Sequence, residues 1–189
     1  PHRAEDVLRA YGEAREAGFE AINMDLIAGL PEDTVAGFCR SLDRVAQLRP
    51  SNITVHTLAL KKGARLRQEN VPLPSGADVA HMLDFAWSAL RAAGYQPYYL
   101  YRQKFMSGGF ENVGWAKGGR TNLYNICIME ELCSIIAMGG GGSTKLVRHG
   151  DGRNIRLMAP KYPLEYIENI EKTCADKAKI SEFYKDCEE

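Results

Sequence analysis

The spacing of apolar positions changes several times along this chain, and each change predicts an element. In AEDVLRAYGEAREAGF, Val7, Leu8 and Tyr11 share one side of a helix that begins at about Ala4 and stops at Gly18. A strand follows at about 21–28. The next helix opens at PEDT, where Asp33 or Thr34 can cap the free N–H groups. Its Val35, Phe38, Leu42, Val45 and Leu48 step by three and four, the period of one helical face. Pro50 closes it, and NITVHTLAL (52–60) reads as a strand. After the basic loop KKGARLRQENVPLPSG comes a third helix at about 76–93, then a strand at QPYYLY.

The first helix ends in REAGF and the third in RAAGY, each just before a strand, a weak repeat of strand–helix units. Helices and strands in this alternation imply parallel pairing with right-handed crossovers. Beyond residue 104 the rhythm changes to a Gly-rich, irregular stretch, a helix over 123–137, and MGGGGSTKL. The tail PLEYIENIEKTCADKAKISEFYKD has an amphipathic, helical pattern that predicts packing on the outside of the molecule. Two regions are therefore expected, 1–104 and 105–189.

One segment breaks its own pattern. INMDLIAGLPEDT (22–34) reads as a buried strand, yet it carries Asp25, and an unsatisfied buried carboxylate costs several kcal/mol. Alternation puts Ile22, Met24, Leu26 and Ala28 on one face, fit to lie under helices, and Asn23, Asp25, Ile27 and Gly29 on the other. In a parallel barrel the helix-covered face is outside. Asn23 and Asp25 then point inward near the C-terminal mouth, where such folds place their sites. The bland alternative is that Asp25 pairs with a neighbouring Lys or Arg.

Composition narrows the classes. Lys+Arg and Asp+Glu balance at 24 each, so no global field draws the chain to nucleic acid or to anionic lipid. Hydrophobic residues at 45% and charged at 25% are ordinary globular values, and no apolar run approaches the length of a membrane span. These features predict a soluble, cytoplasmic protein with no membrane insertion and no nucleic-acid partner. Five cysteines (Cys39, Cys127, Cys133, Cys174 and Cys187) are an odd number that suits a reducing compartment, and none has zinc or iron–sulfur spacing. Cys127 and Cys133, six apart in the expected helix, should not share a face. GGGG (139–142) lacks the Lys-Ser/Thr of a phosphate-binding loop. His56 reads as a satisfied structural histidine, and no hydrolase triad emerges.

AREAGFEAINMDLIAGLPEDT, followed by LDRVAQLRPSNITVHTLALKKGARL, resembles the radical S-adenosylmethionine (SAM) family of oxygen-independent coproporphyrinogen III oxidases. The DLI-x-GLP-x-[DQ]-T block carries the likeness together with L-x-P-x-x-[IL]-[ST]-V and an Ala four residues past that Val. YRQK (101–104), ENVGWAK (111–117), TNLYNICIMEE (121–131) and MGGGGSTKL (138–146) resemble its HemZ-type, oxidase-like branch. The resemblance implies an α/β fold, the C-terminal part of a partial (β/α)6 radical SAM barrel plus a mostly helical C-terminal extension. It implies SAM as cofactor, with Asp25 matching the family's ribose-contacting carboxylate. Ile27 shares the inward face of the same strand. Ala59 matches a small residue that admits the ligand close to the backbone. Ser143 falls at a SAM-contacting position that is apolar in the family's best-studied branch.

The family also holds a [4Fe–4S] cluster on a CxxxCxxC motif, and this chain has no such motif. The ligands are expected upstream, which makes the chain part of a longer enzyme, inactive by itself and poorly soluble. The implied reaction converts propionate side chains of coproporphyrinogen III to vinyls. In the family a radical generated from SAM takes a β-hydrogen, and CO₂ and one electron are then lost. The implied partners are a porphyrinogen substrate and a reductant. Arg102 and Lys104, after Tyr98, Tyr99 and Tyr101, are the candidates for binding substrate carboxylates; an edge strand with charges in water is the alternative. KKGARLR (61–67) is either a solvated loop or a positive rim for the same carboxylates. A haem-binding or haem-delivery protein on the same scaffold, and another radical SAM reaction such as methyl transfer, are the competing readings.

Overall fold

The computed structural model describes residues 3–60, 66, 71–101, 109–148, 150 and 152–185. They divide into two compact units, Pro1–Asn122 and Leu123–Glu189.

In the first unit, helix α1 (Ala4–Glu16) precedes strand β1 (Asn23–Ala28). Helix α2 (Val35–Leu48) follows, and its start is unambiguous: Thr34 is the cap and its hydroxyl accepts from Gly37 N–H at 3.0 Å. Asp33 supports the cap by accepting from Thr34 N–H at 2.8 Å. Strand β2 (Asn52–Thr57), helix α3 (Gly76–Ala92) and strand β3 (Gln96–Tyr101) complete the alternation expected from the sequence. Ser75 and Asp78 form a reciprocal capping box at the start of α3.

The sheet departs from all-parallel pairing. Its order is β1-β2-β4-β3, with β4 (Asn112–Ala116) inserted antiparallel between β2 and β3. Among the described residues only β1 and β2 are parallel neighbours. The ENVGWA stretch supplies this strand inside a region expected to be irregular, and it carries the compact unit past residue 104 to Asn122. Five residues with one central glycine are too short and too interrupted to announce a strand by alternation. It forms because β2 and β3 offer it two open edges.

Helices α2 and α3 cover one face of the sheet. Phe38 and Leu42 of α2 and Val79, Met82, Ala86 and Leu90 of α3 pack on Ala28, Ile53, Val55 and Trp115. Each of the Val, Leu, Ile, Met and Phe side chains in this set, fully buried, contributes about 1.5–3 kcal/mol of transfer free energy. Tyr95 closes the bottom of this core, wholly buried, and its hydroxyl donates to Pro50 C=O at 2.7 Å. Burial pushes that phenol up to about 12.

The second unit holds a short helix α4 (Leu123–Met129), a hairpin of β5 (Ser143–Arg148) and β6 (Arg153–Met158), and three short helices, α5 (Pro163–Glu168), α6 (Ile170–Asp176) and α7 (Ala178–Tyr184). The helix expected over 123–137 ends at Met129. Glu131 takes a left-handed φ of 53°, and the chain then runs back so that Ile135 bridges Lys145. That reversal brings the Cys133 thiol beside Cys127, contrary to the continuous-helix expectation; partial burial, and then this neighbour, push the Cys127 thiol up. The tail is helical as expected, but broken into three pieces, and only Phe183 among its apolar residues is deeply buried. Among the described residues no helix is long and apolar enough to cross a membrane.

Candidate functional site

The sheet face opposite α2 and α3 is polar. The register pairs Asn23 with Asn52, Asp25 with Thr54 and Ile27 with His56, so these six side chains share that face. β1 is an edge strand, and its Asn23, Asp25 and Ile27 are exposed while Leu26 and Ala28 turn to the core. The alternation read from the sequence holds from Asn23 through Ala28; Gly29, expected on the polar face, lies past the strand end, is buried, and a Cβ there would meet Val79 of α3 at 3.1 Å.

Asp25 is the centre of this face. Its side chain is 58% exposed, and its two oxygens have different partners. Asn23 Nδ2 donates to Oδ1 at 2.6 Å, and His56 Nε2 stands 3.5 Å from Oδ2. Thr54, which is buried, donates its hydroxyl to Asn23 Oδ1 at 3.0 Å and so decides which end of that amide faces the carboxylate. His56 above all, with smaller help from Asn23 and Thr54, holds the Asp25 carboxyl below its usual range, against the opposing effect of partial burial. The partner of Asp25 is thus a histidine rather than the Lys or Arg of the bland alternative, and the group stays open to solvent.

Behind this cluster the sheet is closed by one close approach. One edge of the Tyr99 ring comes so near Gly114 of β4 that a Cβ there would stand 1.9 Å from Cε1. A one-residue irregularity in β3 between Pro97 and Tyr99 aims Tyr99 at this spot, and Tyr98 meets it edge-on at 4.9 Å. Burial raises the Tyr99 phenol, so it is a neutral hydrogen-bonding wall at ordinary pH. Past it, buried Asn112 accepts from Thr57 N–H at 2.9 Å through Oδ1, securing the end of β2 to β4.

Of the residues singled out from the sequence, Asp25 and Ile27 lie together on this face, Ile27 at 39% exposure. Ala59 is half-buried two residues past the end of β2. Ser143 opens β5 in the second unit. Arg102 and Lys104, together with most of KKGARLR, lie outside the described residues. His56, Asn23 and Thr54 join the site without having been picked out as functional. The signal for them was their inward phase on β1 and β2, but which residues of two strands stand opposite depends on register, and one-residue slips reverse it. Among the described residues no group of three His, Cys, Asp or Glu side chains could hold a metal. What the face presents is one exposed carboxylate, held by two neighbours.

The chain matches no protein-family model. It is 37% identical over 183 residues to the oxygen-independent coproporphyrinogen-III oxidase-like protein HemZ of Bacillus subtilis, which covers 96% of this chain and 36% of that protein. It is 34% identical over 95 residues to the oxygen-independent coproporphyrinogen III oxidase of Escherichia coli, covering 49% of this chain and 21% of the relative. The heme chaperone HemW of B. subtilis is 27% identical over 115 residues, covering 59% and 30%. The chain thus spans little more than a third of the length of these relatives at most. Among solved structures, coproporphyrinogen III oxidase (HemN) from E. coli, described as a radical SAM enzyme, superposes with a TM-score of 0.64 at 21% identity, over 91% of this chain and 39% of that one. That likeness shows the fold: these residues have the α/β architecture of part of that enzyme.

Proposed function

We propose, for a chain homologous over nearly its whole length to the oxygen-independent coproporphyrinogen III oxidase-like proteins, that it forms the SAM-binding side of an enzyme that decarboxylates coproporphyrinogen III propionates oxidatively to vinyls. The observation that carries the reading is Asp25, an exposed carboxylate fixed on the inner sheet face by Asn23 and His56. Such a group accepts from both hydroxyls of a ribose. Ile27, next on the same face, offers an apolar wall, and Ala59 leaves room for the ligand near the backbone. SAM held by Asp25, Ile27 and Ala59 would supply the radical chemistry of the reaction. The residues present do not fit the [4Fe–4S] cluster, since no CxxxCxxC occurs in the sequence, so its thiolates must come from outside these 189 residues. What this chain does is bind and orient. Its Arg102 and Lys104 remain our candidates for the substrate carboxylates.

A second reading, haem binding and delivery, draws support from the heme chaperone relative. The two part in a single anaerobic assay of the full-length protein with coproporphyrinogen III, SAM and a reductant. Mass spectrometry of the porphyrins, after oxidation, should show loss of CO₂ from the propionates. Unchanged substrate together with stoichiometric haem binding would overturn the oxidase reading in favour of the chaperone one.

A further inference from the structure

Resting on that reading of Asp25, we propose that His56 is a positioning residue that fixes the Asp25 carboxylate to receive a vicinal diol. The carboxylate has two oxygens, each able to accept more than one hydrogen bond. In this structure Asn23 engages Oδ1 at 2.6 Å, and His56 approaches Oδ2 to 3.5 Å from the opposite strand. One neighbour on each oxygen pins rotation about the terminal bond and still leaves each oxygen a second accepting direction. Two hydroxyls on adjacent carbons present their hydrogens to such a pair of oxygens; a single hydroxyl uses only one.

The arrangement is built in depth. Buried Thr54 orients the Asn23 amide, and the parallel register that sets Ile27 against His56 and Asp25 against Thr54 brings the imidazole over the carboxylate. His56 is itself only one-third exposed, so its ring is held by the sheet. To donate, Nε2 must carry a hydrogen, which both the imidazolium and one neutral tautomer provide. A leucine would fill the space and supply no donor. A glutamine retains one.

The test is binding of S-adenosylhomocysteine, and of its 2′-deoxy counterpart, to the full-length protein by isothermal titration calorimetry. The wild type should prefer the diol ligand. A partly exposed pair at this distance is worth up to about fivefold in equilibrium, so His56→Leu should bind S-adenosylhomocysteine about three- to fivefold more weakly and lose part of the preference for the diol. His56→Gln should recover most of the affinity, which a merely structural role would not restore. In Asp25→Asn the added His56→Leu change should have no further effect. If Asp25→Asn weakens binding but His56→Leu, folded by circular dichroism, binds and discriminates as the wild type does, the role of His56 is refuted and the Asp25 reading stands. If Asp25→Asn binds as the wild type does, or the wild type binds neither ligand, both are overturned.

Discussion

Substituting Gly114 by Ala should do more damage than the same change at any other described glycine of the first unit. The added Cβ would lie 1.9 Å from Cε1, 2.3 Å from Cδ1 and 2.9 Å from Cζ of Tyr99. Carbon atoms rest at about 3.5 Å, so the near edge of the ring must retreat by about 1.6 Å. Tyr99 is only 8% exposed. Overpacking of this kind costs about 1–3 kcal/mol if the ring shifts within the sheet. If it is expelled, roughly 150 Å² of aromatic surface at about 25 cal/mol per Å² sets a ceiling near 4 kcal/mol. Urea unfolding of the full-length Gly114→Ala protein should show a lower midpoint at an unchanged slope. Combining Gly114→Ala with Tyr99→Ala should cost less than the sum of the two single changes, because the small side chain removes the clash. A Gly114→Ala midpoint equal to the wild type, or strict additivity in the pair, would refute the view that glycine is required here by the ring above it.

Other parts of the same scaffold give further expectations. Asp25 has a folded-state carboxyl below its ordinary value, so its contribution to stability is complete above the unfolded value and is lost as pH falls through the folded one. The melting-temperature gap between wild type and Asp25→Asn should therefore hold steady above about pH 4 and shrink in more acid solution; a gap that persists there would count against the His56–Asp25 interaction. Asn112→Ala leaves the buried Thr57 N–H without its 2.9 Å acceptor and should cost about 1–3 kcal/mol in chemical denaturation; an unchanged midpoint would refute it. Thr34→Ala removes the cap of α2 and should lower stability by about 1 kcal/mol, with Thr34→Ser recovering most of it.

Local pattern determined a good deal about this protein. Period-three-and-four spacing placed α2 and α3 within a residue or two of their ends, since their apolar stripes and caps are chosen by near neighbours. Two-residue alternation told Asp25 from Leu26 before any fold was known, and the face it assigned is the one the structure leaves polar and exposed. Fold class followed from the order of elements together with the family motif. Partner choice did not follow. β4 joins the sheet because two distant strands present open edges, which no window of its own residues records. Likewise α4 stops at Met129 because the returning chain bridges at Ile135, a contact made across ten residues with Lys145. His56 shows the limit most clearly. Its phase was legible as inward, but its meaning depends on Ile27 and Asp25 standing opposite in one particular register, and register is settled only when both faces of the sheet are packed at once.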